Sequence, residues 1–174
     1  MMDFFLRGLG HFLQFPAHVM VLVGFGLLLG QQGWHHVRFG WLAFVLALVV
    51  GLWMTQLYAA TWPLNTLLLG LAGVVGCLLA LRLRLPLWSS VLLLVVVGLL
   101  IGFGSAPAAF PGMKPLKMYA ALAGTAVADS LTVLLLAVLA GGLRTLLDGV
   151  ILRVLGSWVA ASALMVLALM FAPR

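Results

Sequence analysis

Six long apolar runs, joined by short connections that carry most of the charge, constrain this chain more than any other feature. A run of about 20 mostly apolar residues is long enough to cross a bilayer as a helix. In hydrocarbon every backbone N–H and C=O must be satisfied internally, which leaves helices or a closed barrel. Barrel strands would be about ten residues long and alternate in polarity, and these runs do neither. They lie at about 11–30, 39–60, 63–81, 87–103, 118–141 and 150–172. The sequence therefore predicts an all-α fold, an integral membrane bundle of about six transmembrane helices. One membrane domain spanning 1–174 uses up the chain.

Composition agrees. The chain is 66% hydrophobic and 7% charged, with a mean hydropathy of +1.30, whereas a soluble domain carries roughly 25% charged residues. The net charge of +6 comes from nine Lys and Arg against three acidic residues. Those basic residues sit at the ends of apolar runs, which is the pattern of topology signals and lipid-headgroup contacts rather than of nucleic-acid binding. The lone Cys77 lies within an apolar run, so it forms no disulfide framework and reads as a small packing residue. Arg7 followed by an apolar segment has the outline of a signal peptide. But His11, Gln14, Pro16 and His18 interrupt the segment, and no small-x-small cleavage site follows, so it reads as a first helix.

The connections 31–38, 61–62 and 82–86 are short, and 105–117, with three prolines, is the longest. Gly141 and Gly142 are expected to break the fifth helix from the sixth, and residues 143–152 also have helical character. Short loops imply an up-and-down arrangement. Gly24 and Gly26, then Gly70, Gly73 and Gly76, then Ala121, Gly124 and Ala128 mark faces for close helix packing. Connections after the first, third and fifth helices hold Arg38, Arg82, Arg84, Arg144 and Arg153. The other side holds Arg7, Lys114, Lys117 and Arg174. Five against four places both termini outside the cytoplasm.

Few residues offer chemistry. Asp129 lies inside the fifth apolar run, where a carboxylate costs at least a few kcal/mol unless it is paired, protonated or facing a polar cavity. Two readings follow: a functional carboxyl, or a protonated one that glues neighbouring helices. Thr125, one turn earlier, and Ser130 make a small polar patch with it. Asn65 and Thr66 form a second patch, and Thr55 and Gln56 a third. His11 and His18, seven apart, share one face of the first helix, roughly 10 Å apart along its axis. Imidazoles so placed suit a transition metal, or else are an interfacial residue and a hydrogen-bonding one. A meeting of His18, Asn65 and Asp129 would make an ion path. His35 and His36 are adjacent, point about 100° apart on a helix, and read as a polar loop at the headgroups. Arg144 and Asp148 are spaced to pair. There is no phosphate-binding Gly-rich loop, CxxC, HExxH or Ser/His/Asp arrangement, so the chain does not read as an enzyme.

Over most of its length the chain resembles the HupE/UreJ family, small membrane proteins associated with nickel or cobalt uptake. The family's first-helix signature is His-Pro-x-x-Gly-x-Asp-His. Here it reads His11-Phe12-Leu13-Gln14-Phe15-Pro16-Ala17-His18. Both histidines are kept, and Phe12, Phe15 and Ala17 replace the proline, glycine and aspartate. The third helix with its basic turn Arg82-Leu83-Arg84-Leu85-Pro86, the stretch 115–133, and Arg153-Val154-Leu155-Gly156 are also similar. Asn65 stands where an acidic residue is usual, Asp129 where the family has a histidine, and 101–105 lacks the family's His-Gly pair. The resemblance implies a bacterial inner-membrane permease for a divalent metal ion or another small solute, with His11, His18 and Asp129 as metal ligands and Asn65, Thr125 and Ser130 along a polar path. The thinned ligand set allows a second reading: a non-transporting subunit or assembly factor that reuses the scaffold, with other membrane subunits or a second copy as partners. A third reading, a haem held by His11 and His18, would need two residues of one helix to face both sides of the ring.

Overall fold

The computed structural model describes residues 6, 8–10, 15–55, 63–105, 115–145 and 149–172. Among them there are helices and no strands. Six helices follow in order: α1 (Pro16–Gln32), α2 (Trp34–Met54), α3 (Leu64–Ala80), α4 (Leu87–Gly104), α5 (Pro115–Leu143) and α6 (Val150–Phe171). The protein is an integral membrane protein built as a helical bundle. Four of the helices, α2, α4, α5 and α6, are long and apolar enough to cross a membrane. At 17 residues each, α1 and α3 are shorter apolar helices, about 25 Å long against a hydrocarbon core of about 30 Å.

Four boundaries differ from the sequence expectation, each for a physical reason. Residues 31–38 are not a loop. Gln31 and Gln32 complete α1, and α2 begins at Trp34, leaving Gly33 as the hinge with φ of +110°, a backbone state that favours glycine. The glutamines stay helical because their amides reach across the bundle: Gln31 Nε2 donates to Leu79 O (3.1 Å) and Gln32 Nε2 to Leu83 O (2.8 Å), while Leu85 N donates to Gln32 Oε1 (3.2 Å). His35 and His36 are accordingly in the first turn of α2. His35 packs edge-on against Phe39, and His36 Nε2 lies 3.2 Å from Leu85 O. Gly141 and Gly142 do not break α5, which runs on to Leu143; glycine is common in membrane helices, where the backbone N–H and C=O groups are best satisfied within the helix. The α5 helix also starts early, at Pro115, a residue whose missing N–H is harmless at a first helical position. The sixth helix begins cleanly at Val150 after Gly149 (φ +76°). Asp148, the expected partner of Arg144, and Gln56 lie outside the described residues, and the Thr55 hydroxyl donates to Leu52 O (2.7 Å) in the last turn of α2.

The bundle is organised around α1. This short helix is buried on nearly every side, Gly24 to Gly30 without interruption, and it touches all five other helices. A helix apolar all round belongs in the centre of a bundle. The tightest pairs are not sequence neighbours: α2 packs on α4, α3 on α6 and α1 on α5. Small residues set these seams. A Cβ on Gly102 of α4 would lie 2.8 Å from Leu52 N and 2.9 Å from Gly51 Cα, and one on Gly76 of α3 would lie 2.5 Å from Ala160 N. Gly26 and Gly30 of α1 meet residues 133–141 of α5 in ascending order, so α1 and α5 run parallel, whereas Gly73 and Gly76 of α3 meet Leu164 and Ala160 of α6 in descending order. Odd-numbered helices therefore point one way and even-numbered helices the other. Gly70, expected at a seam, has open space where a Cβ would be, and Cys77 faces outward rather than into the packing.

Candidate functional site

Asp129 occupies the centre of the 29-residue α5. It is completely buried, and among the described residues neither carboxyl oxygen has a hydrogen-bond partner. The polar patch anticipated around it does not serve it. Thr125 Oγ1 donates to Ala121 O (3.2 Å), Ser130 Oγ to Ala126 O, and Thr132 Oγ1 to Ala128 O (2.7 Å). Each hydroxyl turns back onto its own helix, the common habit of Ser and Thr inside helices, and Thr125 Oγ1 also reaches Gly8 O (3.4 Å). The carbonyl of Ser130 instead receives Trp41 Nε1 from α2 at 2.9 Å. The surroundings of Asp129 thus hold hydroxyls and an indole N–H, all committed elsewhere.

His18 is in the first turn of α1, 2% exposed, its ring tilted against Phe15 at a centroid distance of 5.3 Å. It lines a cavity of 340 Å³ at one pole of the bundle, together with Asn65 and Thr66 from the start of α3, Gly104 from the end of α4 and Met170 near the end of α6. Gly104 matters here: a Cβ on it would stand 3.6 Å from His18 Nε2, so the absence of a side chain leaves room beside the imidazole.

Of the residues singled out from sequence, the structure brings His18 and Asn65 to one cavity and keeps Asp129, Thr125 and Ser130 on α5. Asp129 is not among the residues lining the His18 cavity. The register of α1 against α5, fixed by Gly26 and Gly30, nevertheless sets His18 and Asp129 within about one turn of each other along the bundle axis. Among the described residues no three His, Cys, Asp or Glu converge as a metal site. His11 lies outside them. Sequence reasoning missed Phe15, Gly104 and Met170 as cavity walls. Only Gly104 left a signal, as a small residue closing an apolar run. The cavity's walls come from four different helices, whose meeting is a tertiary fact.

No family model matches the chain, and neither a curated protein nor a solved structure is significantly similar to it.

Proposed function

We propose that the protein is a HupE/UreJ-like permease that passes a small cation, of the divalent nickel or cobalt class, between the His18 cavity and Asp129. The observation that carries this reading is the Asp129 carboxyl, buried with neither oxygen bonded among the described residues. As glue to a neighbouring helix it would hold a hydrogen bond, and as glue to another chain it would face outward. It does neither. A carboxylate so placed must be neutralised by a proton or a cation, which is what a carrier group does on each cycle. At the cavity, the imidazole of His18 suits borderline metals and the amide oxygen of Asn65 suits harder ones. Cargo is thus met by neutral ligands first and by charge second.

Both termini outside the cytoplasm of a bacterial inner membrane, with all six helices crossing, complete the reading. Its support is the gathering of Arg82, Arg84 and Arg144 at the pole opposite His18.

A second reading has one observation in its favour. A transported metal needs several ligands, and no group of three forms among the described residues. On that reading the chain is a non-transporting subunit of a larger membrane complex. Gentle detergent purification, with elemental analysis and mass spectrometry on the same sample, separates the two. The permease predicts nickel, cobalt or a similar ion that is lost in His18→Ala, with a folded protein remaining. A metal-free protein bound to other chains at fixed stoichiometry would replace it with the subunit reading.

A further inference from the structure

At the pole away from His18, the end of α1, the α3–α4 connection, the end of α5 and the start of α6 enclose a cavity of 460 Å³. Its polar walls include Gln31, Gln32, His36, Arg82, Arg84 and Arg144. Three guanidinium groups face this space, and no carboxylate lines it among the described residues. Neither Arg84 nor Arg144 forms an ion pair with a described residue, so the described walls offer guanidinium donors of bidentate geometry and no carboxylate.

A second cavity of 210 Å³ adjoins it, and Arg144 lines both. This one is a slot between α1, α2 and α5, bounded by Trp34, Val37, Ala137 and Val138 and left open by Gly30, Gly33 and Gly141. A Cβ on Gly141 would meet nothing within 4 Å. One on Gly33 would stand 2.9 Å from Arg144 Nη1, so the guanidinium lies directly over the α1–α2 hinge. Trp34 and Val138 are well exposed, which puts the slot on the lipid-facing surface.

We propose that these two cavities together hold one anionic phospholipid, its phosphate in the arginine cavity and one acyl chain in the glycine slot. Charge complementarity selects the head, and a free phosphate would leave the slot unexplained. A zwitterionic lipid would bring its own cation into a space already holding three arginines. The site stands apart from the proposed cation path, at the opposite pole.

The test is native mass spectrometry of the delipidated full chain in non-ionic detergent. It is titrated with phosphatidylglycerol, with phosphatidylcholine of the same acyl chains, and with inorganic phosphate. One phosphatidylglycerol per chain is expected, bound more tightly than the other two. Arg144→Gln and Arg84→Gln should each weaken it about fivefold, the value of one basic residue at an anionic headgroup. Val138→Trp, which fills the mouth of the slot from the lipid side, should weaken phosphatidylglycerol without changing inorganic phosphate. Arg38→Gln, outside both cavities, should change neither. Equal binding of the two lipids, or indifference to both arginine changes, would overturn the proposal. Binding of inorganic phosphate as tight as that of phosphatidylglycerol, with Val138→Trp silent, would make this a free-anion site instead.

Discussion

The arginine pole and the middle of α5 both hold polar groups out of bulk water, and they treat them differently. At the pole, Gln31, Gln32 and Arg153 each donate to a carbonyl at or just beyond the end of α3, and His36 lies on Leu85 O. Helix-end carbonyls lack intrahelical partners, and here side chains from other helices supply them. Around Asp129 the Thr125 and Ser130 hydroxyls and the Trp41 indole turn to backbone carbonyls, and among the described residues the carboxyl receives no hydrogen bond. At the pole, Gln31 Oε1 has no partner among the described residues, but each of the four side chains there makes at least one cross-helix contact, so the first region uses polarity to lock a fold. The second holds a buried carboxyl that no described residue bonds, and the proposed cation path gives that carboxyl its use.

Substitutions can sharpen or break this contrast. The largest effect is expected at Gly30, on the α1–α5 seam between the two regions, where a Cβ would run into Ala137 O and Gly141 N. Gly30→Val should destabilise by about 3 kcal/mol, the upper range for overpacking, as read by thermal unfolding in detergent. Gln32→Ala removes two bonds that tie α1 to the α3–α4 turn and should cost about 2 kcal/mol, at about 1 each. Trp41→Phe removes only the N–H to Ser130 O and should cost about 1 kcal/mol. Asp129→Asn, which keeps shape and removes no bond to a described residue, should change stability by less than about 1 kcal/mol, the value of one neutral hydrogen bond. A loss of about 2 kcal/mol there, typical of a broken bond to a charged group, would erase the distinction between the two regions.

Much of the fold was legible in the sequence, because run length and composition alone determine what can sit in hydrocarbon. What was not legible came from contacts distant along the chain. Gln31 and Gln32 look like loop residues until Leu79 and Leu83 are known to lie opposite. Nothing local says that α1 is the central helix, although its freedom from a polar face allows it. Asp129 was conspicuous from its type and place, and its neighbours Thr125 and Ser130 were correctly located on α5. Their bonding was not readable, since a hydroxyl can choose its own helix or a neighbour with little difference in energy. The pairing of His18 with Asn65 in one cavity depended on α1 and α3 beginning at the same pole, which follows from the alternation of helix directions. The arginine-lined cavity was visible only as charge count.

The most direct test of the central claim is uptake of a labelled divalent cation, nickel or cobalt, into proteoliposomes holding Asp129→Asn at matched folded amount. The account predicts that uptake falls to the level of empty liposomes while the unfolding midpoint stays at the wild-type value. Wild-type uptake by this variant would contradict it and leave Asp129 without a role in transport.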